Sequence, residues 1–559
     1  MKKNIYATLD LNKSLDTFQS HVTKLLDFTN LPEWDGKKFK EREEEIRKQA
    51  LILAGQCISI LLYKLSTNQK VLDYSTEQIQ TEQNLTNFKR GYKTRQIITV
   101  GNVEVILKLP YIVKRNLKKA EGRGQRAEGS SQKGIQTPPD LEPLNKSSVG
   151  VLNPYSLSVV AEGRNQNSLL PSASCPLPFL ITKNKSGNTN KKPKIETATQ
   201  GFYPFLKWLG MSVGITPLVW STIAKYGAIA GSFEAARSTL IDWGIDISLK
   251  RIERLTYLFG QIGINLRESK ILNQANSNGS NTNILKNQRV IIAVDGGRTK
   301  IRFNKKGRRS SKTHRHGFVG EWMEPKLLTI YVVNEQGQKI RTSSIPITND
   351  GTYSGYEHFL LILEMYLVNL GISQAKQVLL IADGAEWIWI HIPPLLKKLN
   401  CPLQTYQLLD FYHAASHLQG FADAAFSTDN ERQEWFKKAR KTLKKGQALE
   451  LMRNMGELIS HATGERCNLM VKERNYILKA YRRRLLKYNL VASQKLPLGS
   501  GAVESLIRQA VNLRMKGNSK FWLQNNAEIM LHLRCQWIAK NWDNFCDSIF
   551  NSFLKSSSA

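Results

Sequence analysis

Two short stretches of this chain carry the same arrangement of residues. In "VIIAVDGG" the β-branched, apolar run 290–294 ends at Asp295, followed by two glycines; in "QVLLIADG" an apolar run again ends at an aspartate, Asp383, followed by glycine. A carboxylate at the end of a buried strand is costly unless something positive compensates it. Taken singly, each aspartate reads as a strand-end cap or turn residue. Their repetition favours a paired site. Two carboxylates held close repel, and each then favours a proton; a divalent cation such as Mg2+ or Mn2+ removes the conflict, because it takes hard oxygen ligands. Such ions can activate a nucleophile on one side of a phosphodiester and stabilise the leaving oxygen on the other. A third carboxylate, Glu504, opens a helix after the Gly-Ser-Gly break at 499–501. Alone, a first-turn glutamate more often serves the helix dipole.

The surrounding pattern says what must position these groups. Strands are expected at 290–294, 326–334 and 338–348, then an amphipathic helix at 355–371 and a fourth strand in 377–390. A helix opened by the prolines of "PPLLKKL" follows, and "LQTYQLLDFYHAASHL" reads as a fifth strand running into a helix. Three strands, helix, strand, helix, strand is the α/β order of a ribonuclease-H-like core. There the first and fourth strands are neighbours, which lets Asp295 and Asp383 meet.

Composition points to the partner. Eighty Lys and Arg against 46 Asp and Glu leave a net charge of +34 over 559 residues, and a surface that basic attracts polyanions, nucleic acid first among them. A membrane surface is the alternative, but no basic helix with an aromatic apolar face stands out, and no run approaches the roughly 20 apolar residues of a span. The basic N-terminus has no apolar stretch behind it, so it does not read as a signal peptide. The six cysteines are scattered without a C-x-x-C pair, which fits a reducing, cytoplasmic setting.

Five regions follow. Residues 1–115 hold a helix at 34–66 and a hairpin at 91–115 turning at Gly101-Asn102. Residues 116–200 are rich in Gly, Ser, Asn and Lys and read as a disordered linker or insertion. In 201–284, Ser232 can cap a helix to Trp243, Gly244 can make a turn, and Ser248 can cap a second helix bearing Lys250, Arg251 and Arg254. This suits a helix-turn-helix that places its second helix in the DNA major groove, although any αα-hairpin fits the pattern as well. Residues 285–540 form the catalytic region, with a helical insertion at about 411–496, and 541–559 read as a tail. Further DNA contacts are expected from Arg308 and Arg309 in the basic stretch 304–317, from the Tyr- and Arg-rich 479–489, and from Arg508 and Lys516 on the last catalytic helix. Trp387, Trp389 and Trp522 either stack on an extruded base or fill the core.

Together "VDGG", "ADGAEW", "LLDFYHAASHL" and "GSGAVES…NLRMKG…W", in this order, resemble bacterial insertion-sequence transposases of the DDE type, closest to the ISKra-type group, akin to the Mutator superfamily. The likeness covers roughly 290–540, and "RGYKTRQIITV…PYIVKR" near residue 100 shares it. It implies that Asp295, Asp383 and Glu504 are the metal-binding triad, that a helical domain is inserted before Glu504, and that Asp410 and His413 match a D-x-x-H signature. His413 then either contacts the scissile phosphate or only hydrogen-bonds Asp410. His417 completes an Asp/His/His helix face that could suggest zinc, but lacks a fourth ligand. Two features depart from the group: residues 116–200 are longer than expected, and Gly297 stands where a bulkier residue is expected. The implied activity is Mg2+-dependent cleavage at the element's ends and strand transfer into target double-stranded DNA, by a dimer or larger assembly, at the nucleoid of a bacterial cytoplasm. A ribonuclease-H-like nuclease without strand transfer and a non-catalytic helix-turn-helix DNA-binding protein are the alternatives.

Overall fold

The structure, a computed structural model, describes residues 10–25, 36–83, 88–114, 201–276, 283–305, 307–314, 316–340 and 345–554; the stretch 116–200 read as a linker lies outside them. Helices α1 (Leu11–Leu25), α2 (Gly36–Thr67) and α3 (Gln69–Glu82) precede an antiparallel hairpin of β1 (Phe88–Ile98) and β2 (Glu104–Lys114). The hairpin turns through Gly101 (φ 67°) and Asn102 (φ 56°), a left-handed pair that Gly adopts freely and Asn tolerates. The chain re-enters beside this hairpin. Phe202 bridges Ile112, and α4 (Pro204–Trp208) brings Phe205 and Leu206 into a small core with Leu62, Leu72, Ile97, Leu107 and Leu109. Helix α2 corrects one expectation, being long and apolar enough to cross a membrane by length and composition. Its Ile60 and Leu62 are nonetheless buried in protein.

A larger core holds everything else. Helices α5 (Pro217–Ile229), α6 (Phe233–Asp242) and α7 (Leu249–Asn276) share it with a five-stranded mixed sheet. The sheet comprises β3 (Arg289–Gly296), β6 (Lys326–Val333), β7 (Thr348–Thr352), β8 (Gln377–Ala382) and β9 (Thr405–Leu409), in the spatial order β7-β6-β3-β8-β9. β3, β6 and β7 run antiparallel in turn, whereas β8 lies parallel to β3, and β9 to β8. Helix α8 (Tyr356–Leu370) leads into β8, and α9 (Glu386–Lys398) into β9. Between β3 and β6 the chain leaves the sheet as an antiparallel ribbon of β4 (Thr299–Asn304) and β5 (Phe318–Met323). After β9 come α10 (Phe411–Ala425), α11 (Asp429–Lys444), α12 (Ala448–Ser460), α13 (Gly464–Arg482) and α14 (Tyr488–Ser493). Then α15 (Gly501–Ile507) runs on through a π-helical turn, Arg508–Asn512, before α16 (Gln524–Ile538) and α17 (Trp542–Ser552).

Three local expectations are corrected. The third sheet strand is Thr348–Thr352, not the more apolar stretch before it; its Asp350 is fully buried, and Arg267 of α7 supplies the compensating charge at 3.2 Å. Pro393 and Pro394 lie inside α9, which already starts at Glu386; burial of Ile388, Ile392, Leu395 and Leu396 offsets the hydrogen bonds the prolines cannot make. Residues 542–552 are not a tail: Trp542, Phe545, Cys546 and Ile549 of α17 are buried in the larger core, with Trp542 stacked on Phe259 of α7.

Candidate active site

Asp295 and Asp383 leave neighbouring strands at the same level. Along β3 and β8 the paired residues are 88 positions apart, from Arg289 and Gln377 to Val294 and Ala382, and the two aspartates are the next such pair. Parallel neighbours lie about 4.8 Å apart, so the carboxylates start from adjacent Cα positions. The Asp295 side chain is half-buried and accepts the Gly296 N–H at 2.7 Å. Burial pushes its carboxyl up to about 6; the Gly296 hydrogen bond resists, Asp383 raises it further, His413 lowers it and Glu504 raises it. The Asp295 carboxyl therefore feels all three of these side chains. Asp383 accepts the Ala385 N–H at 3.0 Å, and its carbonyl accepts the Trp389 indole N–H at 2.8 Å, which fixes the start of α9 against the site.

Glu504 reaches this place through Asp410. Asp410 directly follows β9, is fully buried, and donates its own N–H to the Ala382 carbonyl at 2.7 Å. Its Oδ1 caps α10 by accepting the N–H groups of Tyr412 (2.6 Å) and His413 (2.9 Å), and its Oδ2 accepts the N–H of Ser500. The Phe411 N–H bonds the Leu498 carbonyl. One carboxylate thus clasps the strand beside Asp383, the helix bearing His413 and the loop that opens the helix bearing Glu504. The Asp410–His413 link runs through the backbone N–H rather than the imidazole. Gly297 explains itself here: a Cβ on it would stand 3.2 Å from Ile507 Cγ2, so the missing side chain lets α15 close onto the end of β3. Glu504 lies on the exposed face of α15, 3.5 Å from the Ser500 hydroxyl.

Helix α13 covers the other flank. The Tyr476 ring stacks on His417 with centroids 3.5 Å apart and packs over Gly384. Burial raises its hydroxyl above the ordinary range, as does Asp383, against a hydrogen bond from the Gly384 N–H. His417 Nδ1 faces Glu473 Oε2 at 2.5 Å. His417 is therefore engaged with Glu473 rather than sharing an ion with Asp410 and His413. Sequence reading missed Tyr476 and Glu473; 56 residues separate Glu473 from His417, and no local motif marks either.

Two observations bear on a cation, and they pull apart. Among the described residues no Lys or Arg forms an ion pair with Asp295, Asp383 or Glu504, and the half-buried Asp295 carries the mark of that deficit in its raised pKa. Yet among the described residues no group of three or more His, Cys, Asp or Glu is close enough to hold an ion. The donor chemistry suits a hard divalent ion, while the three carboxylates do not close on one by themselves. Mg2+ commonly takes only one or two carboxylates and completes its shell with water and substrate phosphate.

The basic residues divide by environment. Lys250 and Arg254, at the start of α7, are exposed. Arg251 is half-buried: burial lowers its pKa, as do Arg254 and Arg95, against Glu104 of the hairpin. Ser232 caps α6 by accepting the Ala235 N–H at 3.1 Å, and Gly244 turns the chain with its back on Gly101 and Leu51. Helix α7 is far longer than the motif requires and runs on into the larger core. Arg308, Arg309 and Arg508 are exposed and Lys516 is half-buried. Trp389 and Trp522 are core residues and Trp387 packs against the core, so none of the three is a free stacking surface.

No family profile matches the chain, and no curated protein matches it. A solved structure described as "Drosophila P element transposase strand transfer complex" is weakly similar, at 10% identity and a TM-score of 0.21, over 60% of this chain and 81% of that one.

Proposed function

We propose that this protein is a DDE transposase with a ribonuclease-H-like core, of the ISKra-type group its motifs resemble, cutting DNA at the ends of its own element and joining the freed 3′-OH to target DNA. The observation that carries the reading is that Asp295 and Asp383 follow the last paired residues of two adjacent parallel strands. The sheet order supports it: an antiparallel meander whose first strand pairs in parallel with the fourth. Asp295, Asp383 and Glu504 would hold Mg2+ or Mn2+, which when bound supplies activation of the attacking oxygen and charge stabilisation at the leaving one. The chain's own residues do the rest. Asp410 ties the end of the sheet to the loop before α15, Tyr476, packed over Gly384, would limit water beside Asp383, and His413 would offer a donor for the scissile phosphate. In this reading Arg508, Lys516, Arg308 and Arg309 would contact backbone phosphates, and Lys250, Arg251 and Arg254 would meet duplex DNA. Hydrolysis followed by transesterification conserves phosphodiester bonds, so no nucleotide site is required. Paired ends imply a dimer or larger assembly on DNA.

The test is a cleavage and joining assay on duplexes carrying the element's ends. Wild type should nick and join with Mg2+ or Mn2+; Asp295→Asn, Asp383→Asn and Glu504→Gln should each lose at least about a hundredfold in nicking rate while still shifting the DNA. Nicking without joined product would make the protein a nuclease. Binding without nicking by wild type would make it a DNA-binding protein.

A further inference from the structure

The ribbon that leaves the sheet just beyond Asp295 has two unlike faces. Facing residues of an antiparallel pair share a side. Ile301 pairs with Glu321 and Phe303 with Val319 on one face; Lys300 pairs with Trp322, Arg302 with Gly320 and Asn304 with Phe318 on the other. The second face is aromatic and cationic. Trp322 is 58% exposed and Phe318 41%. Phe521 lies between them, over Gly320, its ring edge-on to Phe318 with centroids 5.1 Å apart. Lys300 Nζ stands 5.2 Å from the Trp322 ring centre, and the Arg302 guanidinium 5.1 Å from that of Phe318. The ribbon's one carboxylate, Glu321, is on the opposite face. The segment at Phe521 and Trp522 is itself hydrogen-bonded to β4 through the Lys300 carbonyl and the Arg302 N–H, so the platform is braced from two parts of the chain. Lys305, Arg308, Arg309 and Lys312 continue the positive charge beyond its tip.

We infer that this face binds unpaired nucleotides, its rings stacking on bases while Lys300 and Arg302 meet the adjoining phosphates. The pattern of solvent-exposed rings interleaved with cations is what single strands require: every base offers a π-face and every linkage an anion. A lipid surface or a second protein copy would not need a cation beside each exposed ring. The inference rests on the proposed transposase reading for its purpose, which is to hold a strand opened near the scissile phosphate, but its test does not.

Fluorescence anisotropy with a labelled oligothymidylate and with a duplex of equal length, at matched ionic strength, separates the cases. Trp322→Ala with Phe318→Ala should weaken oligothymidylate binding about tenfold or more and duplex binding less than twofold, and Trp322→Phe should retain most single-strand affinity. Asp295→Asn should bind the oligothymidylate as wild type does, so inert chemistry and a failed platform remain distinguishable. As a readout independent of mutant folding, bromodeoxyuridine in the oligonucleotide should crosslink under ultraviolet light to the peptide containing 318–323. Unchanged single-strand affinity in the double variant, or crosslinks only elsewhere, would overturn the inference. So would a wild-type dimer in light scattering that the double variant abolishes, since the face would then be an interface between copies.

Discussion

Asp410 accepts the backbone N–H of Ser500, 90 residues further along the chain, with the oxygen left over from capping its own helix. That bond ties the end of β9, one strand from Asp383, to the start of the helix that carries Glu504. Asp410→Ala would leave three buried or half-buried N–H groups without their acceptor, so unfolding stability should fall by about 2–4 kcal/mol. Asp410→Ser can still cap α10 but cannot reach Ser500; it should cost less stability while slowing cleavage with little change in DNA affinity. Urea unfolding alongside single-turnover nicking would show the split. Equal stability in Asp410→Ala and wild type would contradict the clasp.

Asp295 makes the metal-free protein sensitive to pH. Its carboxyl is raised from 3.8 to about 6, so the folded state holds a proton that the unfolded state releases, and stability falls as pH rises through that window. At roughly 1.4 kcal/mol per pKa unit, the charged group costs on the order of 3 kcal/mol above pH 6. Asn keeps the acceptor for Gly296 and removes the charge, so Asp295→Asn should match or exceed wild type at pH 7, and the difference should vanish near pH 4. Mg2+ should raise the wild-type Tm by binding the folded state and move the variant less. A destabilised variant with a metal-indifferent wild type would make Asp295 a structural cap.

Arg267 and Asp350 test the joint between α7 and the sheet. Arg267 is 3% exposed and contacts Asp350, Glu268 and Glu528. Burial would raise the Asp350 carboxyl, but Arg267 and His532 hold it well below the usual range. Its contribution is therefore present above the unfolded pKa and is lost as pH falls through the folded one. Arg267→Met should cost about 3–5 kcal/mol by stranding a buried charge, and adding Asp350→Asn should recover part of it. Additive losses in chemical denaturation would argue against direct pairing.

The α7 start should read DNA through its exposed side chains. Lys250→Ala and Arg254→Ala should each lower affinity and flatten the logarithmic salt dependence by about one unit, with reduced preference for element ends over random duplex. Arg251→Ala, half-buried beside the hairpin, should also lose discrimination, with a drop in Tm the other two lack. Gel-shift titrations at several salt concentrations decide it; unchanged preference in all three would return this helix pair to a purely structural role.

Much of the local structure was legible because it is written in neighbouring residues. The stretches 290–294, 326–334 and 377–390 open as short apolar, β-branched runs that suit strands, and a strand is found in each; the helix expected at 355–371 and the turn at Gly101-Asn102 follow from spacing and from glycine's backbone freedom. Asp295 and Asp383 were legible as candidates at the ends of such runs, and Glu504 as a first-turn carboxylate after the Gly-Ser-Gly break. What the sequence could not decide was which distant groups cancel each other's cost. The third strand reads as 338–348, but Arg267, 83 residues before Asp350, lets the polar Thr348–Thr352 be the core strand instead. The ribbon reads as a basic loop until cross-strand pairing sorts its rings and cations onto one face. The last helix reads as a tail until Phe259 supplies a stacking partner for Trp542. Asp410 reads as one member of a short motif until Ser500 arrives. In each case the stabilising term is a pairing between residues far apart in sequence. Such a term exists only once the chain has closed those loops, so tertiary structure alone decides it.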